Sequence, residues 1–287
     1  MLWIVCSVAI FAAAPIPVAE AGIQTPAIAT VEGTQWEAAS ANFVVRSHHS
    51  AHDAREVAEF CERWRGKLQR HWCAAEREAW SPRCEVVVHA DARSYLAAVG
   101  AGASQTFGSS LIQFGKQEND KDKIVSRRLI DFRGDNRFGI AAVPHEMTHV
   151  ILADLLDGRQ PPRWADEGMA ILADSRDKQL LHERDLTSGL TSCSAFGVAE
   201  LLTLESYPQP ARVPAFYGQS ASLTALLARR DDPAKFVEFL RRSLDRGYDQ
   251  ALHDIYHLDN IAHLERLWHE QRLTSRSGYH GLRLALD

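Results

Sequence analysis

The sequence is short of several things, and each shortage removes a class of protein. Cysteine is scarce, with five in 287 residues. No two of them form a C-x-x-C pair, so neither a cysteine zinc site nor a dithiol redox centre has support. Charge of one sign is not in excess: the formal net charge is −5, and no basic run is present. That leaves no electrostatic footprint for nucleic acid and nothing to hold the chain on an anionic bilayer. A long hydrophobic run is missing too. The apolar stretch from Leu2 to Pro15 is broken by Cys6 and Ser7 and falls short of the roughly 20 residues that a spanning helix needs. There is no internal repeat and no low-complexity tract.

What remains is an ordinary globular composition, 46% apolar and 24% charged, long enough for one large or two small domains. The apolar start is followed by Val18-Ala19-Glu20-Ala21, whose small residues suit a signal-peptidase site before Gly22. Residues 1–21 therefore read as a signal peptide and the mature protein as exported, with no stable membrane span after cleavage; an uncleaved anchor or a buried N-terminal helix is the alternative. Cleavage leaves Cys61, Cys73, Cys84 and Cys193, enough for two disulfides in any of three connectivities. Cys73 with Cys84 is the preferred pair. Cys61, on an apolar helical face with Val57, Trp64 and Leu68, reads equally well as a buried thiol.

Residues 22–38, rich in Ala, Thr, Gly and Pro, read as a linker. An N-terminal α/β part is expected over 39–136: a strand at Asn42–Arg46, a helix from Asp53 to Trp80, a strand at Cys84–His89, a short helix at Ala92–Val99, a hairpin or loop region over 100–123 and a strand at Ile124–Phe132. From 137 to 271 the pattern turns helical, with helices near 139–157, 163–173, 176–190, 197–204, 215–229, 233–244, 247–256 and 260–271. Residues 272–287 form a tail.

The chemistry concentrates in His145-Glu146-Met147-Thr148-His149. On a helix, residues four apart share a face one turn apart, so the two imidazoles can meet one Zn²⁺ while Glu146 projects beside them as a general base. Pro144, which lacks an N–H, implies that the helix either starts there or kinks. Downstream, Pro161-Pro162-Arg163 leads into Trp164-Ala165-Asp166-Glu167-Gly168-Met169-Ala170. Helical spacing puts Trp164, Glu167 and Ile171 on one inward face, where an ionised carboxylate needs a cation. Asp157-Gly158 ends the first helix, and a short connection returns the second antiparallel to it. Glu167 paired with Arg163 or another surface cation is the blander reading.

These two motifs together, His-Glu-x-x-His and Trp-x-x-Glu-Gly-x-Ala, resemble the gluzincin zinc metallopeptidases and the broader peptidase MA-like group. The resemblance covers about residues 139–173 and weakly the helical C-terminal part. It implies a zincin-like α+β fold, a small N-terminal sheet with helices packed on a mostly helical C-terminal part. It further implies Zn²⁺ held by His145, His149 and Glu167, water activated by Glu146, and a peptide or protein substrate. No Gly-x-Met-Glu-Asn segment, which aminopeptidases of that superfamily use to hold a free amine, is present, so the expectation is endopeptidase-like. Related peptidases place a tyrosine downstream of the metal, which points to Tyr217 as an oxyanion donor, although a packed tyrosine reads as well. Asp166 would orient a ligand histidine or else sit solvated at a helix start. His253, His257, His263 and His269 read as surface or structural. The strand at Ile124–Phe132 is the expected edge for an extended peptide. Two other classes stay open: a non-catalytic zinc-binding or structural protein, and an exported binding module in which the motif is accidental.

Overall fold

The computed structural model describes residues 8–9, 30–31, 35–116, 123–135 and 140–274. The expected signal peptide, except for Val8 and Ala9, and the tail beyond Thr274 lie outside the described residues. The fold is α+β and falls into two compact units, residues 1–67 with 77–158 and residues 68–76 with 159–287.

The first unit carries a sheet whose five longer strands are β1 (Gln35–Ala39), β2 (Phe43–Ser47), β3 (Cys84–His89), β4 (Gly108–Lys116) and β5 (Lys123–Arg133). Their spatial order is β4-β5-β3-β2-β1, with two-residue pairings at Val8–Ala9 and Thr30–Val31 on the two edges. β2, β3 and β5 run parallel to one another, while β1 is antiparallel to β2 and β4 to β5. Parallel neighbours need a long crossover, and α1 (Ala51–Cys73) supplies it between β2 and β3. Alternation makes one face of the sheet apolar: Phe43, Val45, Cys84, Val86, Val88, Ile130 and Phe132 are all buried, and Ala54, Val57, Ala58 and Cys61 of α1 are buried with them. α2 (Ala92–Val99) opens with Asp91, which accepts from the Ser94 backbone in a capping box.

Several expectations are corrected here. The first long helix stops at Cys73, not near Trp80, because Ala74 turns left-handed at φ 60°. Trp80 is buried in the loop that follows: its ring meets Phe43 edge-on at 5.4 Å and lies under Arg65 and Arg128 at 4.8 and 5.0 Å. An apolar residue at helical spacing was therefore packing from a loop. β1 occupies the end of the expected linker. Of the hairpin or loop region expected over 100–123, the hairpin is the alternative that fits: β4 pairs antiparallel with β5. The expected Cys73–Cys84 disulfide is not formed. Cys84 instead points into the sheet core with Val86, and burial pushes the Cys61 and Cys84 thiols well above their ordinary range.

The expected change of domain after residue 136 also moves. α3 (Val143–Leu155) belongs to the sheet unit, because it is buried on nearly every side and packs on β4 and β5. Arg128 of β5 grips Asp154 of α3 with two nitrogens, at 3.0 Å for the closest pair, and Gly158 lies so close to Phe114 that a Cβ there would be 2.9 Å from the ring.

The second unit is helical: α4 (Arg163–Leu172), α5 (Arg176–Thr191), α6 (Val198–Leu202), α7 (Val213–Arg230), α8 (Pro233–Arg246), α9 (Tyr248–Tyr256) and α10 (Ile261–Thr274). α7 is its axis, buried from Ala215 to Ala228. Small residues make that possible, and Gly168 of α4 shows how closely. A Cβ at Gly168 would fall 2.2 Å from Thr224 Oγ1 and 2.7 Å from the Ser220 carbonyl. The glycine after Glu167 is thus the point at which α4 seats on α7. α8 starts on Asp232, which accepts from the Ala234 N–H, and turns Phe236, Val237, Phe239 and Leu240 inward. Tyr248 at the head of α9 accepts the Trp164 indole N–H at 3.0 Å, which assigns the Gly247–Leu252 segment a packing role. Among the described residues no helix is long and apolar enough to cross a membrane.

Candidate metal centre

α3 begins at Val143 with Pro144 in its first turn, where the missing N–H costs nothing because that donor has no intrahelical partner anyway. Of the two readings of Pro144, the helix start is the one realised. The Glu146 N–H reaches the Ala142 carbonyl at 3.0 Å, and Thr148 turns its hydroxyl back to the Pro144 carbonyl at 2.8 Å. His145 and His149 are therefore one regular turn apart, with ring centroids separated by 5.1 Å. Both are buried, at 6% and 1% exposure.

Glu146 is as deeply buried, and strand β4 forms its floor. The Ser110 hydroxyl donates to Glu146 Oε2 at 2.9 Å. Gly108 lies against the same side chain, where a Cβ would be 2.9 Å from Glu146 Cγ. The carboxylate is thus fixed from one side by a hydroxyl and a glycine on neighbouring positions of one strand. Ser110 was not legible in the sequence, since nothing local distinguishes it from Ser109.

α4 begins after Pro161-Pro162, with the Pro162 carbonyl receiving the N–H groups of Ala165 and Asp166 at 3.0 Å. Trp164, Glu167 and Ile171 are buried as expected, but so is every other residue from Trp164 to Leu172. The helix has no solvent face here, and the one-face reading was too narrow. Asp166 is 1% exposed, which removes the solvated-acid reading of that residue. Glu167 is fully buried, and its Oε1 accepts the hydroxyl of Tyr207. Tyr207 lies in Ser206-Tyr207-Pro208-Gln209-Pro210, ahead of two prolines that limit the backbone of its loop. An aromatic in so constrained a loop is the one signal that could have marked it.

Tyr217 lies on α7, 5% exposed, against His182 at 5.6 Å, Phe216 at 5.5 Å and Tyr207 at 6.3 Å between ring centroids. It neighbours the tyrosine that holds Glu167. The histidines of α9 and α10 behave as surface groups: His253 is exposed beside Asp254, and His263 contacts Asp259 at 3.1 Å.

The decisive geometry joins the two motifs. One ligand atom each from His145, His149 and Glu167 lies within 4.8 Å of the other two, and all three residues are buried. Among the described residues this is the sole such group of metal-ligating side chains. The donor set, two imidazole nitrogens and one carboxylate oxygen, suits zinc, whose donors sit at about 2.0–2.2 Å from the ion. A carboxylate buried this deeply also favours a cation beside it. The residues present therefore fit the ion. Compared with known proteins, the chain as a whole matches no family profile and no curated protein.

Proposed function

We propose that this chain is an exported zinc-dependent peptidase of the gluzincin kind, with His145, His149 and Glu167 as the metal ligands. The observation that carries the reading is the convergence of three buried ligand atoms from two separate motifs within 4.8 Å. A surface pair of histidines would not need Glu167, and Glu167 would not be buried without a charge to meet.

A zinc ion held there supplies Lewis acidity, polarising a carbonyl and acidifying water. The residues do the rest. Glu146, fixed by Ser110, takes the proton of the attacking water and returns it to the departing amine nitrogen. An extended peptide pairs with a sheet edge in many such recognitions. The edge expected from the sequence, Ile124–Phe132, is excluded, because β5 lies between β3 and β4. The strand that reaches Glu146 is β4, the outermost of the five long strands. Its outer side pairs at Ser110 and Leu111 with Val8–Ala9, which lie within the segment that export would remove. After that removal it is where a substrate backbone would lie. Export rests on the Val18–Ala21 segment, and N-terminal sequencing of the secreted form should begin at Gly22.

The test is elemental analysis of wild type and Glu167→Ala prepared identically, beside peptidase assays of wild type and Glu146→Gln. One zinc per wild-type chain, weakened or lost in Glu167→Ala, is expected, with hydrolysis abolished in Glu146→Gln. Zinc unchanged by the loss of Glu167 would refute the ligand set. Equal activity of Glu146→Gln would refute the mechanism, and no hydrolysis by either protein would leave a non-catalytic zinc protein.

A further inference from the structure

We infer that Arg163 and Tyr207 form a recognition site for a carboxylate group of the ligand, beside the proposed metal centre; the inference rests on the metallopeptidase reading for its role in catalysis.

Arg163 opens α4, one turn before Glu167. Its Nε and Nη1 are shut off from solvent and meet no hydrogen-bond acceptor. The guanidinium carbon instead lies 4.8 Å from the centre of the Tyr207 ring, and the hydroxyl of that same tyrosine is given to Glu167. Arginine, aromatic ring and carboxylate thus form a continuous row. The stacking satisfies the face of the guanidinium and leaves its in-plane N–H groups unmet. A buried donor without an acceptor is rare in native proteins and calls for an absent water, ion or ligand. Arginine cannot escape by losing its proton. The acceptor must therefore arrive from outside, since neither nitrogen meets Glu167 or any other acceptor among the described residues.

The in-plane edge of a guanidinium matches a carboxylate, with two parallel N–H···O bonds. Arg163 and Glu167 stand four residues apart, about 6 Å along a helix axis. That is the length of one to two extended peptide residues, so a carboxylate on Arg163 would sit within a residue or two of the bond being cut. Two parts of a peptide carry that chemistry, the C-terminal carboxylate and an acidic side chain.

Calorimetric titration separates them. The protein carries Glu146→Gln so that no probe is consumed, and is used both metal-free and zinc-loaded, with zinc content measured independently. Three N-acetylated peptides of one sequence are compared: a free acid, its C-terminal amide, and an amide with one internal residue replaced by Glu. One of the two acidic peptides should bind at least about tenfold more tightly than the neutral amide. Arg163→Gln should erase that preference with zinc content and melting temperature unchanged, and Arg163→Lys, which keeps the charge but not the fork, should restore part of it. The acidic peptide that wins identifies the source. Equal binding of all three peptides, a preference that survives Arg163→Gln, or no binding up to millimolar concentration would overturn the proposal. Failure of zinc to bind would count against the metal reading alone, because the preference for an acid is also read on the metal-free protein.

Discussion

α3 and α8 are neighbouring cases of helix building that solve opposite problems. α8 is amphipathic: Phe236, Val237, Phe239 and Leu240 face inward, while Glu238 is exposed and Arg242 pairs with Asp254 at 2.8 Å. Its polar groups sit in water, where they cost little and indicate little. α3 has almost no exposed side, yet it buries two histidines, a glutamate and a threonine among Met147, Val150, Ile151 and Leu152. Polar side chains so placed oppose folding unless something answers them. The lesson concerns histidine in particular. The chain has 13 of them, and burial, more than spacing, separates His145 and His149 from the exposed histidines of α9 and α10.

The contrast can be broken most decisively at Glu146. If the polar groups of α3 are there for chemistry, Glu146→Gln should lower kcat for a peptide substrate by about 10²–10⁴, the usual worth of a general base, while zinc stoichiometry is retained. Single-turnover assays with metal analysis on the same sample would show both. A fall in activity that only tracks a loss of zinc would make Glu146 structural.

Next in size is the seat of α4. Gly168→Ala places a methyl into Thr224 Oγ1 and the Ser220 carbonyl, and backbone cannot yield as a side chain can. Overpacking of this kind costs about 1–3 kcal/mol, with Glu167 displaced beside it. Denaturant unfolding should show the stability loss and metal titration the weaker affinity. A stability loss without loss of zinc affinity would mean that the glycine serves packing only.

How much of this was legible follows the same division. The spacing of two motifs was enough to single out His145, His149 and Glu167 as one group, which the fold brings within 4.8 Å, because helical periodicity converts sequence separation directly into a shared face. Strand Cys84–His89 and helix Ala92–Val99 were read at their observed bounds, being a run of β-branched residues and a capped helical repeat. Ser110 and Tyr207 were not read. Each reaches its glutamate across about 40 residues of chain, 36 for Ser110 and 40 for Tyr207, and no local pattern encodes such a meeting. Trp80 misled for a related reason: its apolarity was real, but the left-handed turn at Ala74 handed it to a loop, with no glycine to announce the helix end.

His71 tests the comparison at an intermediate burial. It lies near the end of α1, and burial pushes it from 6.5 down to about 4, against a weaker upward pull from Asp232. The folded protein therefore resists protonating a group that the unfolded chain protonates at about 6.5. The stabilising contribution is complete above pH 6.5, falls as pH drops from 6.5 to about 4, and is fully gone below. Chemical denaturation across that window should show a decline that His71→Gln flattens. A decline of the same slope in the variant would assign the effect to other groups.

The smallest effect is expected where the comparison predicts none. The side chain of His253 is 68% exposed on α9, with only Asp254 beside it at 3.5 Å. Replacing it by alanine removes a solvated ring and substitutes a better helix former, so stability should stay within about 0.5 kcal/mol of wild type. Zinc content should not change at all. This is the control that gives the others meaning, because it removes a histidine from the same chain and differs chiefly in burial. Zinc lost in His253→Ala would show that exposed histidines contribute to binding, and the separation of buried ligands from surface rings would fail with it.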